Sequence, residues 1–162
     1  MVKSKSSHGF TLVELVVTLV IIGALAAASA PIFFTRNTFE ARGFFEDVMA
    51  SVRYAQKLAV ATGCTVRVDI TGNTLTLQRA AGGPPACNTG PYNTGVADPT
   101  GQQPTFSRTP RAGSGITLTS VNFTFNPLGA TNLGADTTIT VTSGAGTQQF
   151  RIWRATGFVE RL

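Results

Sequence analysis

Residues 15–34 contain no charged side chain, and twenty consecutive uncharged, mostly apolar residues are the length of one helical crossing of a bilayer. A helix of that kind is not solvated on its own. It must lie in a membrane or pack among other apolar helices, so the chain is read in two parts. Before the run come Lys3, Lys5 and His8, with no acid until Glu14. Positive charge on that side predicts a cytoplasmic amino terminus and a single pass through the cytoplasmic membrane. Everything beyond about Thr35 is then exported, into a compartment where Cys64 and Cys87 can oxidise.

The entry to the run is unusual. Gly9, Phe10, Thr11, Leu12, Val13, Glu14 and Leu15 place a glycine, an aromatic ring and a carboxylate at the mouth of an apolar segment. A carboxylate costs about 2.5–3.5 kcal/mol at the centre of a span and less near an interface. A retained one therefore has a partner, takes a proton, or lies at the interface. An ordinary secretory signal would end a shorter apolar core at a small-residue site such as residues 26–30, and the stretch here is too long for that.

These residues together resemble the class III signal of type IV pilins and pseudopilins. The resemblance implies that residues 1–9 are a prepilin leader, removed between Gly9 and Phe10 by a peptidase that also methylates the new terminus. It implies that residues 10–34 are the transmembrane and assembly helix. Glu14, then the fifth residue, would pair with the terminal amine of a neighbouring subunit. Gly23 and Pro31 bracket a stretch where such helices loosen in a filament; a proline kink tolerated inside a membrane helix is the alternative.

Beyond the run, Ala41, Phe44, Phe45, Val48, Met49, Val52, Ala55, Leu58 and Ala59 recur at three- and four-residue spacing. That predicts an amphipathic continuation of the helix over 35–63, stopped by Gly63. A continuous helix over 11–61 would be about 75 Å long at about 1.5 Å per residue.

The period changes at Cys64. Val66, Val68 and Ile70 alternate with Arg67 and Asp69, and a second alternating run follows Thr71, Gly72 and Asn73, which predicts a β-hairpin with its apolar side on the helix. Residues 81–114 are rich in Gly, Pro, Asn and Thr, with Tyr92, Val96 and Phe106 isolated among them, and are expected to form an irregular loop. A disulfide between Cys64 and Cys87 would pin that loop for about 3 kcal/mol; two separate thiols are the alternative. With no histidine outside the leader, the cysteines lack partners for zinc.

Strand patterns resume over 115–119, 121–125, 137–142 and 148–154, with an edge at 158–162. The expected fold is α+β: a long amino-terminal helix, half membrane stalk and half amphipathic, packed on an antiparallel sheet in a β-rich head over 64–162.

The head also resembles the GspH and FimT branch of minor pilins and pseudopilins. The residues that carry this are Arg53 and Ala55 late in the helix, the turn from Phe125 through Pro127 to Gly129, and the terminal segment from Gly157 to Arg161. Phe158 and Glu160 depart from the arginine-rich ending of that branch. The resemblance implies the pilin fold and a subunit of a type IV pilus or type II secretion pseudopilus, placed in filament priming or at the tip. Its partners would be other pilin or pseudopilin subunits, the prepilin peptidase, the inner membrane and secreted cargo.

A second implication is DNA binding for uptake, since some members of the branch hold double-stranded DNA by the terminal segment. Here Arg151, Trp153, Arg154 and Arg161 are the candidates, offering phosphate contacts and aromatic stacking. Strand alternation puts Arg151 and Trp153 on one face and Arg154 on the other unless a bulge intervenes. Without the leader lysines the balance is eleven basic minus eight acidic residues, or +3, which a solvated surface explains as well as an anionic partner does. No metal cluster, nucleophile elbow or phosphate loop is legible, so neither catalysis nor a cofactor is expected.

Overall fold

The structure, a computed structural model, describes residues 10–101 and 103–162, leaving aside the side chains of residues 27–37. Gly9 and the expected leader lie outside the described residues. The chain divides into two units, Met1–Arg36 and Asn37–Leu162. One helix, α1 (Leu12–Thr62), runs through both without a break in its assignment at Gly23 or Pro31.

In the first unit, Thr11 caps the helix. Its hydroxyl accepts the Glu14 amide hydrogen bond at 3.3 Å, and its carbonyl accepts that of Leu15 at 3.2 Å. Thr11 and Glu14 have the spacing of a capping box, and the acid sits at the positive end of the helix dipole. Phe10, Leu12, Val13, Leu19, Ile22 and their neighbours are exposed, so this unit carries an apolar surface that nothing among the described residues covers. Among the described residues no helix is long and apolar enough to cross a membrane; the expected span includes 27–34, whose side chains are outside that set.

In the second unit, α1 buries Ala41, Phe45, Val48, Val52, Ala55 and Ala59, one stripe at helical spacing. Thr62 ends it by donating to the Leu58 carbonyl, and Gly63 follows at a φ of +65°. Two antiparallel sheets complete the core. The first has the order β3-β2-β1-β6, from β1 (Val66–Thr71), β2 (Thr74–Arg79), β3 (Thr94–Gly95) and β6 (Val121–Phe125), with β4 (Ser107–Arg108) also paired to β2. The second has the order β5-β7-β8-β9, from β5 (Thr117–Leu118), β7 (Thr137–Ser143), β8 (Gly146–Ile152) and β9 (Val159–Arg161). Gly72 and Asn73, at φ 56° and 69°, make the tight β1–β2 turn. Val66, Val68 and Ile70 are buried while Arg67 and Asp69 pair with each other on the outer side, as alternation predicts. Phe123, Phe125, Ile139, Phe150 and Ile152 join the helix stripe in one cluster. The arrangement is α+β.

Residues 81–114 differ from the irregular loop expected of them. A turn of 3-10 helix covers Ala86–Asn88, and β3 and β4 both pair with β2. Two-residue strands carry no period, so the sequence pattern could not announce them. Individual side chains hold the segment instead. Val96 and Phe106 are buried, Tyr54 stacks on Phe106 at 5.5 Å, and Cys87 is buried and joined to Cys64.

Asp98 is the polar anchor of the same segment. It accepts from Arg108 Nη1 at 2.8 Å and from the Thr100 amide and hydroxyl at 2.9 and 2.7 Å. The Arg108 bond first, and then the Thr100 bonds, hold its carboxyl well below the usual carboxylate range. A carboxyl depressed in the folded state stabilises it fully above the unfolded value of about 4 and loses that contribution as pH falls further. The thermal midpoint is therefore expected to drop between pH 5 and pH 2. Asp98→Asn should lower the midpoint at pH 7 and show a shallower drop over the acid range; an unchanged acid slope would remove this account of the anchor.

Candidate functional site

The sequence candidates fall into three places. The first is the start of α1, where Phe10 is exposed ahead of the cap and Glu14 is exposed in the first turn. Gly23 lies on the helix with open space where a Cβ would stand, so nothing within the described residues requires a glycine there. Pro31 is inside the helix, its side chain beyond what is described.

The second place joins three segments that are far apart in the chain. Arg53 donates from Nη2 to the Val159 carbonyl at 3.0 Å, which ties β9 to the helix. One turn further on, Gln56 Nε2 donates to the carbonyls of Gly129 and Thr156, at 3.1 and 2.8 Å. Gly157, at a φ of +66°, packs so closely that a Cβ would stand 2.1 Å from the Gly129 carbonyl oxygen and 2.8 Å from the Phe125 ring. The Asn126 side chain accepts from the amides of Leu128 and Ala130 and shapes the turn. The late-helix arginine, the Phe125–Gly129 turn and the Gly157 segment thus meet as one structural joint. Gln56 is its centre and was not singled out in the sequence, because a glutamine beside an apolar stripe carries no signal of what it will hold. By contrast, the Thr11 cap had a legible signal in its spacing to Glu14.

The third place is the β8–β9 hairpin. β8 ends at Ile152, not at Arg154, because the chain turns at once: the Gly157 amide donates to Trp153 O and the Trp153 amide to Phe158 O. Arg151 lies over the Trp153 ring at 5.8 Å, and Trp153 Nε1 donates to Glu160 at 3.0 Å. Arg154 is exposed, with its amide bonded to Asp136. Arg161 is elsewhere. It pairs with Phe150 in the register while Arg151 pairs with Glu160, and paired residues share a face, so Arg151 and Arg161 lie on opposite faces of the sheet. Arg161 bonds Glu46 at 2.6 Å and lies over Phe45. The four expected contacts therefore divide into Arg151, Trp153 and Arg154 at the turn and Arg161 against the helix. Among the described residues no group of three acids, cysteines or histidines could hold a metal ion.

Comparison with known proteins bears on both ends of the chain. A model of the prokaryotic N-terminal methylation motif matches residues 4–30, and a model of the type II transport protein GspH matches residues 45–155. Among solved structures, two crystal forms of the type IV minor pilin FimU from Pseudomonas aeruginosa PAO1 are similar in fold. One is 16% identical with a TM-score of 0.55, over 77% of this chain and 90% of that one. The other is 14% identical with a TM-score of 0.52, over 75% and 91%. No curated protein matches the sequence.

Proposed function

The chain belongs to the family of the type II transport protein GspH, and we propose that it is a minor pilin or pseudopilin subunit working in filament priming or at the tip. On this reading it is a structural subunit and not an enzyme. It waits in the inner membrane with its amino terminus in the cytoplasm and its head exported. It then assembles through its apolar helix into a type IV pilus or type II secretion pseudopilus, alongside other pilin or pseudopilin subunits.

One observation carries the reading most of the way: the methylation motif covers the same helix whose first turn holds Glu14 and whose apolar side chains lie bare. Uncovered apolar surface on that scale needs a bilayer or a bundle of like helices, and a subunit that passes from one to the other uses both. The test is the amino terminus. Co-expression with a prepilin peptidase should remove nine residues and leave a methylated Phe10, seen by intact mass, and Gly9→Val should block the cut. An unprocessed Met1, or a cut near residue 30, would overturn the reading.

The DNA-uptake alternative is favoured by Trp153 and Arg154, both presented at one hairpin turn next to Arg151. It loses Arg161 to the other face of the sheet, and Glu160 adds a negative charge beside the indole. Failure of the wild-type chain to retard double-stranded DNA at low salt removes it.

A further inference from the structure

At the end of the head where α1 enters it, a cavity of about 370 Å³ opens between the helix and the β7–β8 turn. Its polar lining comes from Thr38 and Arg42 of α1, Ser143, Thr147 and Gln148 of the hairpin, and Arg161 at the end of β9. No acid lines it. Glu46 is paired with Arg161, whose guanidinium lies over Phe45. The Ser143 hydroxyl is engaged with its own turn, donating to Gly146 O and accepting from the Ala145 amide. Arg42 is exposed and, among the described residues, has no carboxylate partner.

Two guanidinium groups, that of Arg161 shared with Glu46 and that of Arg42 without a carboxylate partner among the described residues, together with hydroxyl and amide donors are the donor set of a phosphate site. Chain length restricts where its ligand can come from. Thr38 is four residues beyond Phe34, the last of the charge-free run, and four residues reach at most about 14 Å in any conformation. A bilayer's headgroup layer adds about 5–8 Å beyond the hydrocarbon on each side. Whenever the run is inserted, Thr38 on the cavity lining is therefore within about 14 Å of the hydrocarbon edge, in or just beyond the headgroup layer.

We infer that this cavity binds the phosphodiester headgroup of an anionic membrane phospholipid, holding the unassembled subunit at the outer face of the membrane. The inference rests on the membrane-inserted state described above. Arg42 is the principal contact, Thr38, Thr147 and Gln148 supply further donors, and Arg161 adds charge while keeping its bond to Glu46. Entry into a filament exchanges the lipid for neighbouring subunits.

The experiment uses the full chain in a neutral detergent, titrated with dioctanoyl-phosphatidylglycerol, dioctanoyl-phosphatidylcholine and inorganic phosphate. The anionic lipid should saturate a single site at least about tenfold more tightly than either of the others. Arg42→Ala should weaken that binding about tenfold, Arg42→Lys should recover part of it, and Lys57→Ala, an exposed cation elsewhere on α1, should leave it unchanged. Equal affinity for inorganic phosphate would make this a free-phosphate site and overturn the headgroup. Equal weakening by Lys57→Ala would reduce it to general surface charge. Flotation with phosphatidylcholine vesicles separates the two readings: a chain that does not float contradicts membrane insertion itself, and one that floats without Arg42-dependent titration contradicts the site alone.

Discussion

Gly157→Ala is expected to destabilise the head by about 3 kcal/mol or more, one of the largest effects available from adding a single carbon. Two costs combine. An L-residue held at a φ of +66° pays about 1–2 kcal/mol for its backbone conformation. The added Cβ would stand 2.1 Å from the Gly129 carbonyl oxygen, a backbone atom that cannot swing aside, and overpacking of that kind costs about 1–3 kcal/mol. Relief would require the β8–β9 hairpin to lift from the Phe125–Gly129 turn, which breaks the Gln56 bonds as well. Gln56→Ala gives the milder comparison, since it removes two hydrogen bonds and leaves the packing in place, for about 1–3 kcal/mol. Urea unfolding of both variants, followed through Trp153, the single tryptophan, reads the difference. A Gly157→Ala midpoint at or above that of Gln56→Ala would contradict this account of the joint.

This joint also shows how far the sequence could be read. Arg53, the turn at Gly129 and the segment at Gly157 were each legible as motifs, yet nothing in their spacing said that they touch, because contact across more than seventy residues is made by the fold. Their meeting gives these motifs a structural meaning: they dock the last hairpin on the helix. The helix and its stop at Gly63 were legible because burial recurs at every third or fourth residue, and the β1–β2 hairpin because alternation brackets a Gly-Asn turn. Residues 81–114 were not legible. Their order comes from Val96, Phe106, Asp98 and Cys87, single anchors without a period.

Over 148–154 the sequence pattern ran two residues too far. Trp153 and Arg154 fit the composition of a strand, but the positive φ that Gly157 supplies lets the chain reverse immediately after Ile152. That reversal decides which arginines lie on one face. Arg151 lies over the exposed indole and Arg154 follows it in the turn, while Arg161 stands against Glu46 and Phe45 on the other face. The cavity at Arg42 was invisible for the opposite reason: its lining comes from helix, hairpin turn and terminal strand at once.

Replacement of Glu14 is expected to have the largest functional effect. On the proposed reading the chain begins at Phe10 after processing; in a bundle of apolar helices its amine has few groups to meet, and Glu14, then the fifth residue of a neighbour, is the partner that the family resemblance assigns. Removing one member of a buried charge pair costs about 3–5 kcal/mol, which corresponds to a loss of a hundredfold or more in the equilibrium for entering the filament. Glu14 has a second role available, since it stands at the third helical position behind the Thr11 cap. Glutamine is accepted at that position of a capping box, so Glu14→Gln keeps the local role and removes the charge, whereas Glu14→Leu removes both.

The most direct measurement is the amount of each chain recovered in sheared filaments, against its amount in membranes, with the processed amino terminus verified by intact mass. Assembly through the amino-terminal helix predicts that Glu14→Gln and Glu14→Leu are both processed and both retained in the membrane, yet depleted from filaments by about a hundredfold or more. Wild-type incorporation of Glu14→Gln would contradict it, and would leave Glu14 as a helix cap alone.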